Sequence, residues 1–331
     1  LSLDLAAAEL RAGERSFAAV HVLADRGPGV DRLRVESPDL TGEVRWPAAA
    51  DGAQPVRVRL ERLDLAGLDS GAAGAALGAL GSAVELTVAQ LDWQGRPLGA
   101  LAATLASRAG SFEIREPAVE GAGDVARGTL ACEAPLCHAT VSLETHDAGA
   151  LLARLGLRAD LASAHGAVNA ELAWPVGAAP TLTALRGTVH LALEDGVARG
   201  SAAAAAPGMP PGLLAVPGLI AAMGLPQLPF ARLSGDFTLG GGEALTSNLH
   251  LDGDTEILVH GRVGLAARDY DAAVWVLKGE ERLPAAVRAL PPAARMAALW
   301  MSLRELFGGG GRAPAAWRLR GTWDDPMVTE P

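Results

Sequence analysis

Apolar and polar residues alternate with a period of two through most of this 331-residue chain. That period belongs to strands with one buried and one wet face. Val56, Val58 and Leu60 alternate with Arg57, Arg59 and Glu61, and Val168, Ala170, Leu172 and Trp174 with Asn169, Glu171 and Ala173. Val189, Leu191 and Leu193 follow the same rule, as do Ile257, Val259, Val263 and Leu265 around Gly261. Near the end, Trp317, Leu319 and Trp323 oppose Arg318 and Arg320. Each strand written this way should have one wet face and one apolar face, as the strands of antiparallel sheets do. The phase of the alternation slips in two places: from Val56–Leu60 to Leu63, and from Leu86 and Val88 to Leu91 and Trp93. A slip without a turn signal predicts a β-bulge, which adds twist.

Helical patterns are few. Residues 147–157 carry Leu151, Leu152, Leu155 and Leu157 behind Asp147, a good N-cap. Residues 211–225 are apolar and interrupted by Pro217, and residues 283–307 are split at Pro291-Pro292. In the second part of that last segment Met296, Leu299, Trp300, Leu303 and Phe307 fall at helical spacing, before Gly308–Gly311 stops the pattern. These five are candidates for docking on a membrane or a partner, and the competing reading is a helix that plugs the end of a groove. An internal repeat spans about 1–45 and 82–125. Leu5, Leu10, Arg15, Phe17 and Val20 match Leu86, Leu91, Arg96, Leu98 and Leu101 at an offset of 81. We therefore read 1–331 as one continuous region that grows by adding hairpins.

Composition narrows the function. There are 28 basic and 38 acidic residues, a net charge of −10, and only 4% aromatics. An acidic chain poor in aromatics is a poor nucleic-acid binder and lacks the aromatic girdles of an outer-membrane barrel. Chemistry-bearing motifs are missing too. The seven histidines show no HxH, HxxxH or HExxH spacing, and His190 and His250, at polar-phase positions, read as solvated strand residues. Gly121–Ala126 spells GxGxxA, but no helix pattern follows it. The one lysine, Lys278, is in no phosphate-binding loop. The sequence thus offers no catalytic residues, no metal site and no cofactor, and an enzyme is the least favoured reading. Cys132 and Cys137 flank Pro135 where two alternating runs meet. A hairpin there would set them within disulfide reach; two unrelated small core residues and half of a zinc site are the alternatives.

The second half carries an ordered set of motifs. Leu185-Arg186-Gly187-Thr188-Val189-His190-Leu191-Ala192-Leu193-Glu194-Asp195-Gly196 resembles the L-x-G-x-L-x-L-x-L-x-D-G strand of the YhdP branch of AsmA-like proteins. Phe230–Leu239 resembles that family's F-x-x-I-x-G-D-F-x-L, and Leu249–Gly253 with Ile257–Leu265 its L-x-L-x-G…I-x-x-x-G-x-V-D-L. The terminal Leu319–Pro326 is similar to V-x-G-x-W-D-D-P. The chain departs from the pattern in the Ala202–Ala206 run and at Gly240–Gly242. The resemblance implies a mainly β fold: an elongated, twisted antiparallel sheet forming an open groove, with a few short helices and a C-terminal helical segment. It also implies the C-terminal region of a periplasmic protein, anchored in the inner membrane upstream of this chain. Phospholipids would move along its groove toward the outer membrane, near which the C-terminus would lie.

The residues agree with such a conduit, since alternating strands leave an apolar face and few helices exist to cover it. Each buried CH₂ of an acyl chain would contribute about 0.8 kcal/mol there. The groove-floor candidates are Val56, Val58, Leu60, Val189, Leu191, Leu193, Val259 and Val263. The alternative is an envelope scaffold whose core is filled by its own side chains and carries no lipid. The chain opens on Leu1 with a strand pattern and no charged-then-apolar leader, and we read it as a piece of a longer protein.

Overall fold

The computed structural model describes residues 2–12, 15–27, 30–38, 40–47, 54–64, 83–93, 95–108, 111–156, 160–178, 180–199, 220, 226–277, 317–323 and 325–329. Those residues form 18 strands and a short helix, so the fold is mainly β, as the alternation requires. No helix among them is long and apolar enough to cross a membrane. The sequence's helical segment 283–307 lies outside the described residues, as does 211–225 apart from Ile220.

The chain divides into two compact units. Unit 1 comprises Leu1–Leu143 with Ala173–Ala179, and unit 2 comprises Glu144–Leu172 with Pro180–Pro331. In unit 1, strands β1 (Ser2–Ala12), β2 (Arg15–Arg26), β3 (Val30–Glu36), β4 (Leu40–Pro47) and β5 (Val56–Asp64) pair antiparallel in chain order. The next pairing is parallel: β6 (Val84–Trp93) runs alongside β5, with Val56 beside Val84 and Leu60 beside Val88. Asp64 and Val84 therefore lie at opposite ends of this pair, with residues 65–83 between them in the sequence. Antiparallel order then resumes through β7 (Arg96–Arg108), β8 (Ser111–Glu120), β9 (Asp124–Glu133) and β10 (Leu136–Thr145).

Both phase slips read from the sequence are register shifts. One separates Thr41 from Gly42, so Glu61 is the extra residue of β5; the other falls between Val88 and Leu91 in β6. Gly42 shows what the first shift requires. A Cβ there would lie 2.5 Å from the Arg59 carbonyl oxygen and 2.5 Å from the Leu60 side chain, so only glycine lets β4 and β5 approach. Just past the second shift Asp92 falls on the face opposite Leu91 and is fully buried. Its carboxylate accepts from Arg62 Nε and from Gln90 Nε2 (3.0 Å), which offsets the loss of water.

Unit 2 starts with helix α1 (Ala148–Arg154). The Asp147 carboxylate accepts from the Ala150 N–H at 2.9 Å, capping the helix as the sequence predicts. Strands β11 (Leu161–Pro175), β12 (Arg186–Arg199), β13 (Gln227–Gly240), β14 (Glu243–Asp252), β15 (Glu256–Gly264), β16 (Asp269–Leu277), β17 (Trp317–Thr322) and β18 (Pro326–Thr329) follow, and from β12 onward each pairs antiparallel with the next. Leu193, Leu233, Leu251, Ile257 and Val276 make one cross-strand row, and Leu249, Val259, Val274 and Trp317 another. These rows anchor a packed core that includes Phe237, Leu319 and Ile220, all at 1% exposure or less. At Gly235 an added Cβ would come within 3.0 Å of Leu249, so the absent side chain is the space that Leu249 fills.

Candidate functional site

In unit 1 the apolar residues line up across strands as well as along them. One row runs Ala24, Leu33, Val44, Val58, Leu86, Ala103. A second runs Val22, Val35, Gly42, Leu60, Val88, Leu101, Val119, Ala126. A third runs Val56, Val84, Leu105, Ile114, Leu130. Cross-strand neighbours of this kind stand about 5 Å apart, so each row is a continuous apolar strip. Val56, Val84 and Val88 are buried, whereas Leu33, Val35, Val44, Val58, Leu60, Leu86, Leu101 and Ile114 are half-buried and still meet solvent.

The opposite face of the same sheet is charged. Arg57 Nε donates to Glu85 at 3.0 Å, and Arg45 donates to Glu43. That hydrogen bond holds the Glu43 carboxyl below the ordinary range. Partial burial opposes the shift, and the charges of Arg45, Arg32 and Arg34 reinforce it.

The apolar face ends in a polar row. Arg26 of β2 pairs in register with Asp31 of β3, and Asp31 with Trp46 of β4. Two residues further along each strand lie Ala24, Leu33 and Val44, so all three side chains belong to the apolar face. The Asp31 side chain is 14% exposed against 71% for Arg26, and Arg26 Nε stands 3.7 Å from Asp31 Oδ2. Asp31 Oδ1 is buried without a hydrogen-bond partner. Sequence reasoning passed over this carboxylate. Its signal was phase: Asp31 has the odd numbering of Leu33 and Val35.

The YhdP protein family matches residues 1–209. The chain belongs to the YhdP family. No curated protein and no solved structure matches it. The stretch that carries YhdP membership includes all three apolar rows, the Arg26–Asp31–Trp46 row, and β11 and β12 of unit 2.

The eight groove candidates of this YhdP-family chain fall into two groups. Val56, Val58 and Leu60 lie on β5 in unit 1, on the apolar face just described, Val56 buried and the other two half-buried. Val189, Leu191, Leu193, Val259 and Val263 lie in unit 2 at 3–7% exposure, packed together in its core. The five docking candidates, Met296, Leu299, Trp300, Leu303 and Phe307, lie outside the described residues. Cys132 and Cys137 are joined by a disulfide with an S–S distance of 2.04 Å across the β9–β10 hairpin, whose turn is the pair Ala134-Pro135.

One sequence reading is corrected. His250 is not solvated: it is 4% exposed, and its Nε2 lies 2.7 Å from Oε1 of the fully buried Glu256. Alternation assigns a residue to a face but does not say what lies over that face. His190 does reach solvent, 33% exposed, with Nδ1 2.7 Å from Asp236. Among the described residues no three His, Cys, Asp or Glu side chains group as a metal site would need.

Proposed function

We propose that this chain is a lipid-guiding segment: phospholipid acyl chains lie along the apolar face of unit 1 and are passed on across its rows. The observation that carries this reading is the continuity of the first row, half-buried from Leu33 through Val44, Val58 and Leu86 to Ala103. An acyl chain laid on such a strip removes its own CH₂ groups and the strip's side chains from water together, at about 0.8 kcal/mol per CH₂. Headgroups would stay at the solvated margin. The YhdP membership, with the periplasmic setting it suggests, supports phospholipid traffic between inner and outer membranes. An anchor upstream and a C-terminal region near the outer membrane complete the proposal.

Unit 2 favours the second reading, a self-filled scaffold, for its own part of the chain. Its apolar rows are already buried under protein, Ile220 among the covering side chains. We therefore assign lipid contact to Val58 and Leu60, and a packing role to Val56, Val189, Leu191, Leu193, Val259 and Val263.

The test is lipid co-purification. The chain is expressed in a periplasm, purified without detergent and extracted, and the extract is examined by mass spectrometry. Phospholipid in at least equimolar amount, lost in Val58→Asp, is the expected result. A folded, monodisperse and lipid-free wild type would overturn the proposal in favour of the scaffold.

A further inference from the structure

We infer that the Arg26–Asp31–Trp46 row is a headgroup site for zwitterionic phospholipids, holding a phosphate and an ammonium joined by a two-carbon arm. The inference rests on the lipid-guiding reading above and adds a selectivity that the apolar rows cannot supply.

Asp31 carries the argument. A carboxylate oxygen buried without a partner costs the free energy of its lost hydration, and Arg26 does not restore it: the nearest approach is 3.7 Å, to the other oxygen. A cation at the exposed edge of this carboxylate, 14% of whose side chain meets solvent, would offset by charge the hydrogen bond that Oδ1 lacks. Trp46, the direct cross-strand neighbour of Asp31 on the same face, adds an indole, the aromatic side chain that attracts ammonium groups best. Arg26, on the other side of Asp31 and 71% exposed, offers a guanidinium to a phosphate. Cation, anion and aromatic ring are thus in one line across three strands, complementary to a headgroup that carries both charges. The position fits the cargo as well. The row continues the apolar face directly beyond Ala24, Leu33 and Val44, so a headgroup held there would leave its acyl chains lying on the strip.

A headgroup with a phosphate but no ammonium would gain Arg26 and meet the Asp31 carboxylate as a like charge. The row should therefore discriminate against anionic lipids.

The test loads the purified 331-residue chain from vesicles holding equal amounts of phosphatidylethanolamine and phosphatidylglycerol with matched acyl chains. Bound lipid is then quantified by mass spectrometry. The expected result is enrichment of phosphatidylethanolamine over the donor ratio by about two- to fivefold, the range of a partly exposed cation–π contact. Asp31→Asn and Trp46→Leu should each return the ratio of the two lipids on the protein to that of the donor vesicles. Lipid bound by the wild type at the donor ratio, or enriched in phosphatidylglycerol, would overturn the headgroup site and leave the apolar conduit standing. Enrichment that persists in both variants would overturn it too. A wild type that takes up no lipid would overturn the conduit and the headgroup site together.

Discussion

Glu43 carries a carboxyl that its arginine neighbours hold in the charged form. The hydrogen bond from Arg45, helped by Arg32 and Arg34, depresses its folded-state pKa below the unfolded value. A depressed carboxyl contributes stability that is fully present above its unfolded pKa and is lost as pH falls through the folded one. Thermal melts of wild type and Glu43→Gln should therefore differ at about pH 6, and the gap should close as the pH falls through the depressed folded-state pKa of Glu43. The gap at pH 6 should be small and should shrink in high salt, because the pair lies at a partly solvated surface. Curves that stay parallel over that range would mean the pair contributes nothing to folding. Residue identity was easy to read from the sequence where a position obeyed or broke the alternation, as with the bulges at Glu61 and after Val88. It was hard to read where two groups met only through folding. His250 and Glu256 are six positions apart on different strands, and nothing local announces a buried pair.

At the scale of elements, the strands were legible because each encodes its own two faces, and α1 because Asp147 marks its start. The pairing of β5 with β6 was not. The alternation is the same in parallel and antiparallel pairs at this level of burial, and only the length of chain between Asp64 and Val84 hinted that a hairpin was excluded. The β9–β10 hairpin makes an element-scale prediction. Its disulfide closes a loop of only a few residues, so the chain-entropy gain is at the low end of the usual range, about 2 kcal/mol. Replacing Cys132 and Cys137 together by Ala should lower the stability of unit 1 by about that amount. Faster hydrogen exchange should concentrate in Asp124–Thr145 and spare β1–β4. Uniform acceleration across the unit would show instead that the hairpin and the rest of the sheet open as one.

At the scale of the whole molecule, the same alternating pattern has two outcomes. In unit 1 it leaves half-buried rows, and in unit 2 it makes a closed core. Sequence reasoning gave both the same role, since Val58 and Leu191 look alike along their strands and differ only in what covers them. The difference is measurable. Leu191→Asp puts a charge where exposure is 7% and should unfold unit 2, costing several kcal/mol. Val58→Asp, at a half-buried position, should keep the fold and lose only bound lipid. Limited proteolysis followed by mass spectrometry separates the two: rapid cleavage within residues 180–277 for the first, a wild-type pattern for the second. Equal resistance in both variants would mean that the unit 2 core tolerates water and is not sealed.

The parallel β5–β6 pairing in unit 1 also bears on how such a sheet is lengthened. In a strictly antiparallel ladder, five strands reverse the direction of travel, so a sixth would run opposite to the first. Because β6 lies parallel to β5, it points the same way as β1, and Leu86 looks out from the same side as Leu5. A set of five strands followed by one such return is therefore a unit of pure translation. Copies added in series keep their greasy side, their charged side and both rims in common, with no mirror step between them. Length becomes a free variable for evolution, adjustable to the width of whatever gap must be crossed without redesigning the surface that lines it.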